Sequence, residues 1–261
     1  MKMLRFDSLV FGPIHSRRLG SSLGINLLPR DGKLCNFDCV YCECGWNRDG
    51  RGSTALPPSS DVALALEQKL SSCIEDGIAV DSITFSGHGE PTLHPDFARI
   101  VDNTLALRDK YMPCAKVSVL SNATTLDRED VLEALKRVDN PILKLDAGTS
   151  AAARAINRPA DASYSVEKVV EGMEKFGGNF ILQTMMLRPL NPSENLPDFA
   201  CDKEELKSWT ELVLRLRPRL VMVYTLDRST PDADLEKLSG QTMEKLVRTL
   251  KENDINVQIN A

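Results

Sequence analysis

Strand-like and helix-like segments take turns along this chain of 261 residues, and that alternation narrows the folds open to it. Apolar, β-branched-rich runs fall at 23–28, 82–85, 117–121, 142–146, 180–187, 220–225 and 255–259, which makes seven candidate strands. Between them lie helical faces: Val62, Leu66, Leu70 and Ile74, then Leu206, Trp209, Val213 and Leu216, then Met243, Leu246, Val247 and Leu250. Ser60, after Pro57-Pro58, reads as a helix N-cap, and Gly77, Gly177-Gly178 and Asn253-Asp254 read as helix ends. A parallel neighbour needs a crossover long enough to hold a helix, so repeated βα units imply a parallel sheet. With no GxGxxG turn, the pattern predicts an α/β fold: a partial or near-complete (β/α) TIM-like barrel of six to seven parallel strands. Such a barrel keeps its function at the C-terminal ends of the strands.

Composition agrees with one sizeable core. Hydrophobic residues make up 42% and charged residues 26%, far from the balance of disordered chains. Thirty-two Lys and Arg against 37 Asp and Glu give a net charge of −5, so no global positive field gathers a polyanion, and DNA is not an expected partner. No apolar run approaches the roughly 20 residues that span a bilayer, and the start lacks the apolar block of a signal peptide. The expectation is a cytoplasmic protein with no membrane contact, a single domain over 1–261 in which 1–20 form an N-terminal extension. The stretches 47–59 and 188–197 read as long loops, of the kind that is functional or mobile.

Seven cysteines without an export signal point to metal binding or catalysis rather than disulfides. Cys73, Cys114 and Cys201 are scattered and read as packing residues. Cys35, Cys39 and Cys42 stand in a CxxxCxxC spacing directly after the first candidate strand, with Cys44 two residues on. Three thiolates can hold a [4Fe–4S] cluster and leave one iron open to an outside ligand. The competing reading is a zinc site with Cys44 as fourth ligand, although the single residue between Cys42 and Cys44 makes them a cramped pair for one tetrahedral ion.

The CxxxCxxC run, with Tyr41 just before its third cysteine, resembles the signature of the radical S-adenosylmethionine enzymes. Gly87-His88-Gly89-Glu90-Pro91, closing the second candidate strand, resembles that family's Gly-Gly-Glu motif, and Ser121-Asn122 and Asp146 end the third and fourth strands where the family has polar rim residues. Within the superfamily, the segment from Gly12 to Ile25 and the run from Tyr224 to Arg228 resemble a subgroup related to wyosine-base synthases, without that group's lysine-bearing extra region or second cysteine cluster.

The resemblance implies a [4Fe–4S] cluster on Cys35, Cys39 and Cys42 in a loop over 35–59, and S-adenosyl-L-methionine as cosubstrate, cleaved reductively to a 5′-deoxyadenosyl radical that takes hydrogen from a substrate. It implies Glu90 facing the methionine amino group, Gly87 and Gly89 permitting close backbone approach, and Tyr41 near the adenine. Asn122 and Asp146 would serve the ribose hydroxyls and the methionine carboxylate, with Lys144 reaching that carboxylate or pairing internally with Asp146. His88 and His94 read as structural hydrogen-bonders or proton carriers. Arg17, Arg18 and Arg228 are candidate anion contacts, and Arg215, Arg217 and Arg219 offset a helix dipole. The implied partners are an electron donor such as flavodoxin or ferredoxin and a substrate that is RNA, a protein or peptide to be activated, or a small molecule. The reading of another class is a non-catalytic iron–sulfur electron-transfer protein, which needs the cysteines but not Glu90.

Overall fold

The structure is a computed structural model that describes residues 8–16, 18–191, 198, 202–227, 230–232 and 234–261. The chain gathers into two compact units, one formed by 8–35 with 47–142 and the other by 36–46 with 143–261.

In the first unit, β1 (Val10–Ser16) lies antiparallel to β2 (Gly20–Ile25), with a register shift between Phe11 and Ile14. The stretch expected to be an extension thus supplies a strand. The ring of Phe11 occupies the space above Gly24, where an added Cβ would come within 2.0 Å of it. Then follow α1 (Ser59–Glu75), β3 (Ser82–Phe85), α2 (Phe97–Tyr111), β4 (Lys116–Ser121) and α3 (Glu129–Arg137). The strand order is β1-β2-β3-β4, the last three parallel.

Helix α1 buries Val62, Leu66, Leu70 and Cys73, whereas Ile74 is 50% exposed. The periodicity explains this correction: at about 100° per residue, the twelfth residue on has turned about 120° off the starting face and the eleventh only about 20°. The cap also differs from expectation, since Pro58 holds the N-cap position, Ser59 opens the helix, and no side chain among the described residues caps it. Buried hydroxyls form a chain across the strands: Ser22 Oγ to Thr84 Oγ1 at 2.8 Å, Thr84 to Ser82 at 3.0 Å, Ser82 to Ser118 at 2.9 Å, with Asn140 donating to Ser118 at 3.0 Å. Each of these polar atoms thereby has the partner that burial demands.

β5 (Asn140–Lys144) passes from the first unit into the second. The second continues with α4 (Ser150–Asn157), α5 (Val166–Glu174), β6 (Ile181–Met185), β7 (Leu187–Pro189), α6 (Lys203–Leu216), β8 (Leu220–Tyr224), β9 (Leu235–Lys237), α7 (Gly240–Leu246), α8 (Arg248–Glu252) and β10 (Val257–Asn260). β6, β8 and β10 are parallel neighbours in that order. The run 180–187, expected as one strand, breaks at Met186, whose N–H turns to Tyr224 O at 2.7 Å, and β7 pairs instead with β9. Six strands therefore stand in parallel pairs among the described residues. Leu182, Val221 and Val223 form a fully buried apolar face, while Gln183, Met222 and Tyr224 alternate with them on the other. Arg217 and Asp254 end their helices with positive φ, and the Arg215 guanidinium pairs with Glu174 at 2.7 Å, so two of the expected dipole-offsetting positions are helix-end features.

Candidate cofactor and cluster site

The first unit joins the cysteine motif to the Glu90 motif through the backbone. Leu34 N donates to His88 O at 2.8 Å and Glu90 N donates to Leu34 O at 3.1 Å, so Leu34 and Gly89 form a parallel bridge and Cys35 follows directly. Gly89 has φ +141°, and a Cβ there would lie 1.9 Å from Leu34 O, so only glycine lets the two segments approach. At Gly87 an added Cβ would meet Asn26 Oδ1 at 2.2 Å.

The Glu90 carboxylate is buried, and its two oxygens are unequally used. Oε1 accepts from Thr92 N at 3.1 Å, Thr92 Oγ1 at 2.6 Å and Ser121 Oγ at 2.9 Å. Oε2 accepts from Asn122 N at 2.6 Å. Burial raises the Glu90 pKa above the ordinary carboxylate range despite these donors. Asn122, whose Oδ1 accepts from Thr124 N and Oγ1, turns Nδ2 toward Cys35 Sγ at 3.9 Å.

The second unit gathers Cys39, Tyr41, Lys144 and Asp146 around a residue the sequence did not single out, Asn157. The end of α4 clamps the cysteine loop: Asp38 N donates to Asn157 O at 2.8 Å and Val40 N to Ile156 O at 2.9 Å. Asn157 Nδ2 then reaches Asp146 Oδ2 at 2.7 Å, Tyr41 OH at 3.3 Å and Cys39 Sγ at 3.4 Å. The Tyr41 hydroxyl donates to Asp146 Oδ2, and Met185 N donates to Asp146 Oδ1 at 2.9 Å. Lys144 Nζ stands 3.7 Å from Asp146 Oδ1, donates to Tyr224 OH at 2.8 Å, and lies 5.2 Å from the ring centres of Tyr41 and Tyr224. Tyr41 and Asp146, read as ligand contacts, thus hold each other, and Lys144 takes the internal pairing.

Charge follows this geometry. Burial pushes the Cys39 thiol up to about 12, with Cys42 and Asp146 adding to the rise. Burial and the neighbouring Asp146 push the Tyr41 phenol well above its usual range, so it stays neutral. Burial works against charge on Lys144, yet Asp146 and Tyr224 hold its pKa above the usual lysine range.

His88 Nδ1 pairs with Pro29 O at 3.0 Å and His94 Nε2 with Pro57 O at 3.0 Å, so both act as structural hydrogen-bonders. Burial lowers the His94 pKa. Cys73 is buried in α1 and Cys114 is exposed; Arg17, Arg228, Cys201 and most of the 188–197 loop lie outside the described residues. Asn157 carried no motif, since its position is set by where α4 ends. Glu205, also unremarked in the sequence, holds the turn after β5 by accepting from Thr149 N at 3.2 Å and Thr149 Oγ1 at 2.7 Å.

Among the described residues no group of three or more His, Cys, Asp and Glu is placed to grip one metal ion, so the thiols' role rests on their spacing and surroundings. Those surroundings suit thiolate ligands of an iron–sulfur cluster: side-chain amides of Asn122 and Asn157 point N–H groups at Cys35 and Cys39, the kind of donor that stabilises cluster sulfur.

Solved structures share this fold. They include a radical SAM methyltransferase from Sphaerobacter thermophilus, with TM-score 0.66 and 12% identity over 91% of this chain and 65% of that one. Streptococcus suis SuiB bound to its precursor peptide SuiA gives TM-score 0.62 and 15% identity over 91% and 48% of the two chains. TYW1 with a lysine-pyruvate adduct gives 0.58 and 14% over 90% and 75%. At these identities the likeness concerns architecture, and the α/β partial-barrel class is that of radical SAM enzymes. The Radical SAM superfamily model matches residues 31–200, and the chain belongs to that superfamily. That superfamily is one of enzymes and implies S-adenosylmethionine and an iron–sulfur cluster.

Among curated proteins the chain is 29% identical over 247 residues to a protein named GTPase Obg from Brachyspira hyodysenteriae, and 33% identical over 193 residues to a UPF0026 protein of Methanocaldococcus jannaschii. These matches cover 94% and 72% of this chain but only 34% and 56% of those proteins. No helix among the described residues is long and apolar enough to cross a membrane.

Proposed function

We propose that the chain is a radical S-adenosylmethionine enzyme that modifies a base in RNA, working in the cytoplasm with a flavodoxin or ferredoxin as electron donor. The observation that carries the chemistry is the Leu34–Gly89 bridge, which ties the first cluster cysteine to the Glu90 carboxylate. Cys35, Cys39 and Cys42 would hold a [4Fe–4S] cluster, which when bound would supply the electron for splitting S-adenosylmethionine into methionine and a 5′-deoxyadenosyl radical able to take a hydrogen atom from the substrate.

This chain's residues do the holding. Oε2 of Glu90, with one donor among the described residues against three on Oε1, keeps room to accept from a ligand ammonium. Asn157 and Asn122 support the thiolates, and Lys144 with Tyr224 fixes the position of Asp146. RNA is favoured by the resemblance of the Gly12 to Ile25 and Tyr224 to Arg228 segments to the wyosine-related subgroup. A peptide substrate is the competing class, since the SuiB structure of the same fold is bound to its precursor peptide.

The test is anaerobic purification and reconstitution, followed by assay of iron, sulfide and 5′-deoxyadenosine released with dithionite. Cluster without any cleavage would turn the reading toward electron transfer, and Cys39→Ala is expected to lose both cluster and cleavage. Salt-dependent binding of tRNA tests the substrate class, and no binding even at low ionic strength would remove RNA.

A further inference from the structure

One face of the second unit's sheet is largely apolar; the other sets Gln183, Tyr224, Gln258 and Asn260 beside Met185 and Met222, and it carries amide groups that no described residue answers. Register fixes which residues share it. Gln183 on β6 and Gln258 on β10 both pair with Met222 on β8, and Met185 and Asn260 both pair with Tyr224. Lys144 on β5 donates to the Tyr224 hydroxyl across the intervening β6, so these side chains rise from the same side. Gln183 is 5% exposed, yet its Nε2 has no hydrogen-bond partner among the described residues, and Nδ2 of Asn260 is likewise buried and unpartnered among them. The Asn260 carbonyl oxygen is engaged, accepting from Gln258 Nε2 at 3.3 Å, which fixes its amide nitrogen outward from that pair. Buried amides normally find partners, so two orphans on one face mark a surface built for a ligand.

Resting on the radical S-adenosylmethionine reading above, we propose that this face reads the substrate and that the group it takes is a nucleobase. The orphan groups are neutral donors, and the face's cation, Lys144, is already matched by Asp146, so the chemistry suits a neutral acceptor-bearing ring rather than a phosphate. Gln183 and Asn260 sit two strands apart and two residues out of register, roughly 12 Å between backbones, a gap that their side chains and one planar ring system between them bridge with a hydrogen bond at each end. Between them the ring of half-buried Tyr224 offers polarizable surface for a flat face to lie on. Side-chain amides are the groups that read base edges by paired donor and acceptor. An extended peptide would instead be met by main-chain pairing at a sheet edge, whereas these amides project from a sheet face.

The experiment uses the anaerobically reconstituted full chain, saturated with S-adenosylmethionine so that adenosine cannot simply occupy the cosubstrate's place. Binding of adenosine, guanosine, cytidine and uridine, and of N-acetylalanine methylamide as a peptide surrogate, is measured by saturation-transfer NMR. At least one nucleoside is expected to bind, and Gln183→Leu and Asn260→Ala are each expected to weaken it about tenfold or more, the loss of one good base contact. Melting curves identify a variant that does not fold, in which case the other variant decides. Absence of nucleoside binding to the wild type, equal binding by the folded variants, or binding of the peptide surrogate alone would overturn the proposal. A wild-type protein that releases 5′-deoxyadenosine but binds no nucleoside defeats this inference alone; one that releases none defeats the reading beneath it.

Discussion

Replacing Asn157 with alanine removes a single amide that three buried groups share. The side chain is 2% exposed, and the two hydrogens on Nδ2 serve Asp146 at 2.7 Å and, between them, Cys39 at 3.4 Å and Tyr41 at 3.3 Å. Loss of the charge-assisted bond to Asp146 costs roughly 1.5–3 kcal/mol and loss of the second, neutral bond roughly 0.5–1.5. Alanine returns at most roughly 0.7 kcal/mol of helix propensity at the last residue of α4. The net is a loss of about 3 kcal/mol, which for a chain of this size lowers the melting temperature by roughly 6–12 °C. Calorimetry on the cluster-free protein measures this directly. Asn157→Asp is expected to melt lower still, because it sets a second buried carboxylate against Asp146. A shift within about 2 °C for Asn157→Ala, or an Asn157→Asp protein more stable than Asn157→Ala, would show that the shared amide does not hold this network.

Other expectations follow from the same contacts. Glu90→Gln keeps the shape but turns one acceptor into a donor; the cheaper orientation abandons only Asn122 N, and chemical denaturation is expected to show a loss of roughly 1.5–3 kcal/mol. Gly89→Ala places a methyl group against Leu34 O, so the bridge beside Cys35 opens, and iron retained after reconstitution is expected to fall well below wild type while overall helicity by circular dichroism is kept. Asp31 is exposed, and hydrogen bonds from Ser53 and Thr54, side chains first and then backbone, hold its pKa well below the ordinary value of 3.8. A carboxylate whose pKa is lowered by folding tethers its loop above the unfolded pKa and releases it as pH falls through the folded one. Amide-exchange protection of Ser53 and Thr54 should therefore hold at neutral pH and decline in strong acid, and Asp31→Asn should lack it throughout.

The parts of the fold written in periodicity were legible. Ser82–Phe85 coincides with the apolar run, and the helical faces at Trp209 and Val213 and at Met243 and Leu250 are buried as their spacing demands. β1 escaped because an antiparallel strand holding a glycine and a proline lacks the apolar density of the parallel ones, and β7 because an unbroken apolar run does not show where a chain changes partner. In the site, spacing singled out Cys35 and Cys39, and the family resemblance singled out Glu90 and Asp146, but neither told what each touches. Tyr41 and Asp146 turn toward each other because a buried carboxylate collects the nearest donors, and Asn157 is such a donor only because α4 ends where it does. Pairings between residues more than a hundred positions apart leave no local trace in the chain.

The aromatic ring of Phe11 resting on Gly24 has a consequence for the protein's life among its neighbours. It pins a kinked, antiparallel ribbon along the flank of β2, whose unpaired amides and carbonyls would otherwise stand open to any strand-forming stranger. A bulkier residue than glycine beneath that ring would lift the cover, and the first symptom would be precipitation rather than failed chemistry.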